Sequence, residues 1–365
     1  MLLFRSSFWT TLLLAGTLGC SKSSPTVVPQ GPPPTTPVAT TFTNPLLAAG
    51  PDPWVYQKDG FYYYMHTTGN NVVLRKTAKM SELGSAVSTT IWAAPATGPN
   101  SQNVWAPELH FLDGKWYVYF TAGPPGCCGG QRLWMLENAN ADPTTGAWTE
   151  RGQLAVPGQD LWAIDGTILE QNGGRYLLWS GQEPNSEQQN LYICRMSSPT
   201  ALTGARVQLS APQYGWELNG FPKVNEAPQV LRHGSKTVLV YSASHCSTDD
   251  YALGMLTAPA TADPMMLASW TKSPTPIFVK NPAGQAYGPG HNGFFTSRTG
   301  NEDWIIYHAN PRTGQGCGDS RSPRMQKFTW RADDTPDFGT PVPLGVSLPR
   351  AGSSAGNPSY FFSPR

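Results

Sequence analysis

WAPELHFLDGKWYVYF, residues 105–120, is a β-hairpin written in one line. An apolar run ends at Asp113-Gly114, two residues that tolerate the positive φ of a tight turn, and the chain returns through Trp116, Tyr117, Tyr119 and Phe120. Four other stretches follow the same plan: DPWVYQKDGFYYY (52–64), DGTILEQNGGRYLLW (165–179), EAPQVLRHGSKTVLVY (226–241) and HNGFFTSRTGNEDWIIY (291–307). Their opening residues and Trp105 form the series Asp52, Trp105, Asp165, Glu226 and His291, at intervals of 53, 60, 61 and 65 residues. Repetition at that period, with room for about four short strands per repeat, predicts an all-β, five-bladed β-propeller. In such a fold the first strand of each blade runs beside the central axis. The five opening residues therefore converge on one pocket holding three carboxylates, an indole and an imidazole.

Composition agrees with this architecture. The chain has 365 residues, 37 Gly, 35 Pro and 11% aromatics, as suits a turn-rich β protein, and no stretch sustains helical periodicity. A net charge of +1 with 13% charged residues provides no basic field for nucleic acid or an acidic membrane surface. Residues 1–19 carry Arg5 and then an apolar core too short to span a bilayer, and read as an export signal. Its end, Leu18-Gly19-Cys20-Ser21, resembles a bacterial lipoprotein box, although Thr17 departs from the usual aliphatic residue; plain secretion is the alternative. Residues 20–43 are rich in Pro, Ser and Thr and are expected to form a tether. The propeller is expected over 44–350, with residues from Asp337 onward completing the last blade, and 351–365 as a peripheral tail.

The opening residues differ in how strongly they point to chemistry. Asp52 lies between Pro51 and Pro53, which hold it extended and remove neighbouring amide donors. Asp165 follows Ile164 at a strand start, where an unpaired charge is costly, and it fits either a turn or a pocket. Glu226 starts an apolar strand and is poorly explained as a turn residue. His291 sits among glycines that permit close backbone approach, and alone would read as structural. Of the cysteines, Cys127-Cys128 either pair with each other or stay free, Cys246 and Cys317 lie in polar loops, and Cys194 reads as a buried free thiol.

Taken together and in order, Asn44-Pro45-Leu46 with Pro51-Asp52-Pro53, Trp105-Ala106-Pro107-Glu108, Ile164-Asp165-Gly166, Asn225-Glu226-Ala227-Pro228 and Gly290-His291 resemble glycoside hydrolase family 43. That is the five-bladed arabinanase, arabinofuranosidase and β-xylosidase family. The resemblance implies an inverting hydrolase in which Asp52 is the general base, Glu226 the general acid, and Asp165 tunes and positions the acid. It also implies that His291 lies near a water-ligated ion in the central channel, commonly calcium, and that no organic cofactor is needed. The late stretch GCGDSRSPRMQKFTW is most similar to the exo-acting arabinofuranosidase branch. The expected substrates are therefore arabinose- or xylose-containing oligosaccharides or polysaccharides, with a β-xylosidase or endo-arabinanase as alternatives within the family.

Elementary chemistry supports the same roles, because glycoside hydrolysis needs one protonated carboxyl and one carboxylate. Trp105 is expected to stack on a sugar face, and His245 and Arg321 to hydrogen-bond its hydroxyls. A glycan-binding propeller without catalysis is the rival from another class, and it gives no reason for proline-framed carboxylates. Fructan-acting five-bladed hydrolases carry an Arg-Asp-Pro motif that this sequence lacks.

Overall fold

The computed structural model describes residues 40–352; the expected export signal, nearly all of the expected tether and most of the tail lie outside these residues. Five four-stranded antiparallel sheets form the blades of a five-bladed β-propeller, and in each sheet the strand order follows the chain. Blade one runs from Trp54–Lys58 to Ser88–Ala93, and blade two from Gln102–Leu112 to Thr149–Gln153. Blade three spans Ala163–Gln171 to Ala201–Ser210, blade four Asn225–His233 to Thr271–Lys272, and blade five Tyr287–Thr296 to Pro336–Asp337. First strands of neighbouring blades lie against one another around the axis.

The turn chemistry explains the first hairpins. Asp59 and Gly60 (φ 52° and 78°), Asp113 and Gly114 (50° and 79°) and Asn172 and Gly173 (52° and 71°) all adopt the left-handed conformation that a two-residue hairpin turn requires. Packing explains the rest. Successive residues of a strand point to opposite faces, and each sheet buries both. In the strand Lys236–Ala243, Val238 and Val240 join Ile305 and Tyr307 of blade five, while Leu239 and Tyr241 join Leu178 and Ile193 of blade three. Five such cores, one between each pair of adjacent blades, hold the ring together.

Ring closure departs from expectation. Blade five ends at Pro336–Asp337, and the later strand Leu348–Pro349 pairs instead with Thr41–Phe42. Phe42, expected at the end of the tether, is buried against Trp304. An apolar ring followed by the turn-forming Asn44-Pro45 has more to gain on the propeller than in water, which puts the start of the folded part before residue 44. Asn44 then locks onto blade five, donating to Met325 O at 2.9 Å and accepting from Met325 N at 3.0 Å. Cys246 and Cys317 form a disulfide, Cys127 and Cys128 are paired as neighbours, and Cys194 is free and buried.

Candidate active site

Every inner strand is interrupted at its pocket end. Positive φ falls at Asp52 (57°), Ala106 (43°), Asp165 (57°), Ala227 (51°) and His291 (46°), so Asp52 is left-handed and not extended as its flanking prolines suggested. In blades two to five the ladder slips at the same places, between Trp105 and Glu108, Ile164 and Thr167, Glu226 and Gln229, and Gly290 and Gly293. Such a bulge turns a side chain out of the ladder, and a proline beside it loses no hydrogen bond. The equivalent positions are thus Asp52, Ala106, Asp165, Ala227 and His291. Trp105 and Glu226 sit one residue earlier than the simple repeat suggests.

Asp52 is almost fully buried and heavily partnered. Its Oδ1 accepts from Arg321 Nη1 at 2.8 Å and lies 3.3 Å from both His291 Nδ1 and His308 Nδ1. Its Oδ2 accepts from the Thr67 hydroxyl at 2.6 Å, and Thr67 is fixed in turn by the Ala106 amide at 2.7 Å. Burial alone would raise the Asp52 pKa, but the Arg321 charge, then His291 and His308, override it and hold the carboxyl well below its usual range. Asp52 is therefore held in its carboxylate form. The Asp52 amide donates to His308 Nδ1 at 3.1 Å, and burial pushes the His308 pKa down to about 4, so that ring is neutral and carries its proton on Nε2.

Glu226 has the opposite character. Desolvation by the pocket walls, aided by the Asp52 charge, raises its pKa to about 7, against the Tyr251 hydrogen bond and the Arg321 charge. Tyr251 donates its phenol proton to Glu226 Oε1 at 2.8 Å. The Tyr251 ring fits because residue 290 is glycine; a Cβ there would run into it. On its other side the ring lies parallel to His308, centroids 5.7 Å apart. Asp165 is also raised, first by burial and then by the charges of Glu226 and Asp52. Its Oδ2 accepts from the Ala227 amide at 3.0 Å, which ties it to the residue after Glu226. Asp165 and Glu226 thus act on each other through the repulsion of their ionised forms, and this backbone hydrogen bond ties the two positions together.

The remaining expected residues divide. Trp105 is half-buried at the pocket end of blade two. Arg321, expected on sugar hydroxyls, is engaged by Asp52 instead. His245 bonds to the Ser247 hydroxyl at 2.8 Å, on the loop that the Cys246–Cys317 disulfide ties to the segment carrying Arg321. Sequence reasoning missed Thr67, Tyr251 and His308. It also passed over Glu108, the buried carboxylate of blade two, which bonds to His110 at 3.1 Å and accepts from Gln229. Calcium requires six to eight oxygens, and the side chains at His291 do not supply them. Among the described residues the grouping of three potential metal ligands is His245, Cys246 and Cys317, of which the two cysteines are joined. The residues around His291 thus do not fit an ion held by protein atoms.

A carboxyl held ionised beside one whose pKa is raised to about 7 is what acid and base catalysis of glycoside hydrolysis requires. Residues 42–336 match Glycosyl hydrolases family 43, and the chain belongs to that family. It is 42% identical over 322 residues to an extracellular exo-α-(1→5)-L-arabinofuranosidase of Streptomyces avermitilis, covering 86% of this chain and 66% of that protein. It is 40% identical over 336 residues to α-L-arabinofuranosidase 43 of Humicola insolens, covering 88% of this chain and 69% of that one. The chain thus spans about two thirds of the length of these two relatives. The crystal structure of an α-L-arabinofuranosidase from Lactobacillus brevis superposes with a TM-score of 0.79 at 36% identity, covering 84% of this chain and 98% of that one.

Proposed function

We propose that this protein is an inverting, exo-acting α-L-arabinofuranosidase that removes arabinose from arabinose-containing plant polysaccharides or oligosaccharides. The observation that carries the chemistry is the opposed ionisation of Asp52 and Glu226; relatives at about 40% identity support the sugar. Asp52, held as a carboxylate, takes a proton from the attacking water. Thr67 and Arg321 donate to its oxygens, His291 lies beside Oδ1, and His308 accepts from the Asp52 amide, which together fix its orientation. Glu226, protonated below about pH 7, gives its proton to the departing oxygen, so that the leaving sugar departs as a neutral alcohol. Asp165 holds the Ala227 amide and so the backbone beside the acid, and Trp105 and His245 are assigned to binding the sugar. We assign His291 to orienting Asp52, and any ion it carries would be reached through water. We extend the proposal to export with a lipid on Cys20, which rests on the leader sequence, while the Streptomyces avermitilis relative is described as extracellular.

The mechanism is tested by proton NMR of the first product, read before mutarotation. An α-L-arabinofuranoside should yield β-L-arabinose, and α-L-arabinose would refute inversion. Release rates from aryl α-L-arabinofuranoside and aryl β-D-xyloside, measured side by side, test the sugar. Preference for the xyloside would make the protein a β-xylosidase, and activity confined to internal linkages of arabinan an endo-arabinanase.

A further inference from the structure

Close to the acid, and out of contact with it, lies a buried ion pair that the chemistry above does not use. Glu217 is fully buried on the connection that enters blade four, and Lys272, on the outermost strand of that blade, lies 2.7 Å from its Oε1. The Glu217 carboxylate is saturated. Oε1 also accepts from the Tyr241 phenol at 3.0 Å and Asn225 Nδ2 at 2.9 Å, and Oε2 accepts from the amides of Gln213 and Tyr214, both at 2.9 Å. Lys272 Nζ additionally donates to Ala211 O at 2.7 Å and to Asn225 Oδ1 at 3.3 Å.

These bonds meet on Asn225, the residue before Glu226. Asn225 is fully buried and every one of its polar groups is engaged. Its Oδ1 accepts from the Ser210 hydroxyl at 2.6 Å, its carbonyl from the Ser180 hydroxyl at 2.9 Å, and its amide donates to Gln189 O at 2.9 Å. The network therefore ties blade three, the entry segment and three strands of blade four to one backbone position. Buried ion pairs seldom add net stability over apolar replacements, and in some proteins they instead serve to fix one geometry. A reacting group must be held to within a fraction of an ångström to keep its rate.

We propose that the Glu217–Lys272 pair, acting through Asn225, is a positioning device for Glu226, so that proton delivery to the leaving group depends on it. Asp165 holds the backbone on the other side, at Ala227, and the two anchors bracket the acid. The inference rests on reading Glu226 as the general acid. Neither Glu217 nor Lys272 is placed to touch the sugar.

The test compares Glu217→Gln, Lys272→Met and Tyr241→Phe with wild type and Glu226→Ala on two substrates. One is an arabino-oligosaccharide, whose leaving alcohol needs a proton; the other is nitrophenyl α-L-arabinofuranoside, whose leaving group does not. Glu217→Gln and Lys272→Met should lose about tenfold or more in kcat on the oligosaccharide and about threefold or less on the nitrophenyl glycoside. Tyr241→Phe should show the same split in smaller measure. Equal losses on both substrates, or no loss, in variants that keep a cooperative thermal transition would overturn the inference. Should Lys272→Met fail to fold, Glu217→Gln and Tyr241→Phe, which nearly preserve side-chain volume, decide the question. A split for Glu226→Ala with none for these variants removes the positioning role alone. No split for Glu226→Ala removes the acid assignment, and the inference with it.

Discussion

With Glu226 as the proposed acid, the Tyr251 phenol should set the upper pH limit of activity on natural substrates. It donates to Glu226 Oε1 at 2.8 Å and favours the ionised form of a carboxyl that desolvation has raised to about pH 7. A hydrogen bond to a charged group is worth about 1.5–3 kcal/mol and one to a neutral group about 0.5–1.5. The ionised form therefore gains about 1 kcal/mol more than the acid. At 1.36 kcal/mol per pH unit, Tyr251→Phe should raise the Glu226 pKa by about 0.7 of a unit. The active form is the protonated one, present below the pKa and lost as pH rises through it. The alkaline limb should therefore move to higher pH. The phenylalanine ring keeps the stacking on His308 and the space over Gly290, so the perturbation is confined to the hydrogen bonds of the phenol with Glu226 and Ser242. The assay is kcat/KM against pH on an arabino-oligosaccharide, which reports the free enzyme. An alkaline limb that stays in place or moves downward would refute the reasoning.

Glu226→Ala should cost about 10²–10⁴ in kcat on arabino-oligosaccharides and far less on the nitrophenyl glycoside, whereas Asp52→Ala should lose both, since water must be activated in either case; steady-state rates on the two substrates check this. His291→Ala should lower kcat and the thermal midpoint together, because its ring packs beside Asp52; full activity in protein shown by elemental analysis to be metal-free would remove any role for an ion. Labelled fatty acid should mark the wild-type protein and not Cys20→Ala, and equal labelling of both would end the lipid proposal.

Much of this was legible because it is local. Asp59-Gly60, Asp113-Gly114 and Asn172-Gly173 specify tight turns from two residues each, and the alternating apolar runs beside them specify strands buried on both faces. The carboxylates at the strand starts announced themselves by their proline and apolar neighbours. What was hidden depends on register and on ring closure. The one-residue offset of Trp105 and Glu226 comes from bulges whose position is set by pairing with the second strand, and no spacing rule in the sequence records it. His308 reaches Asp52 from 256 residues away, and in the sequence it is one histidine inside an apolar strand. Gln229 meets Glu108 across 121 residues, and Thr67 lies in a loop of ordinary composition. The pairing of Thr41–Phe42 with Leu348–Pro349 was equally invisible, since two-residue strands carry no period.

Asp52 occupies the joint where the ring closes. It belongs to blade one, yet Arg321, which keeps it ionised, and His291 and His308, which pack against it, all come from blade five. No strand is exchanged between those two blades; side-chain packing, the Asn44 contacts and the ribbon made by Thr41–Phe42 and Leu348–Pro349 close the gap. Parting blade one from blade five by a few ångströms would leave the four-stranded sheet of every blade intact while stripping the proposed base of its partners. Catalysis in this molecule therefore gauges whether the circle is shut, and on warming it should fade before the β-sheet signal does.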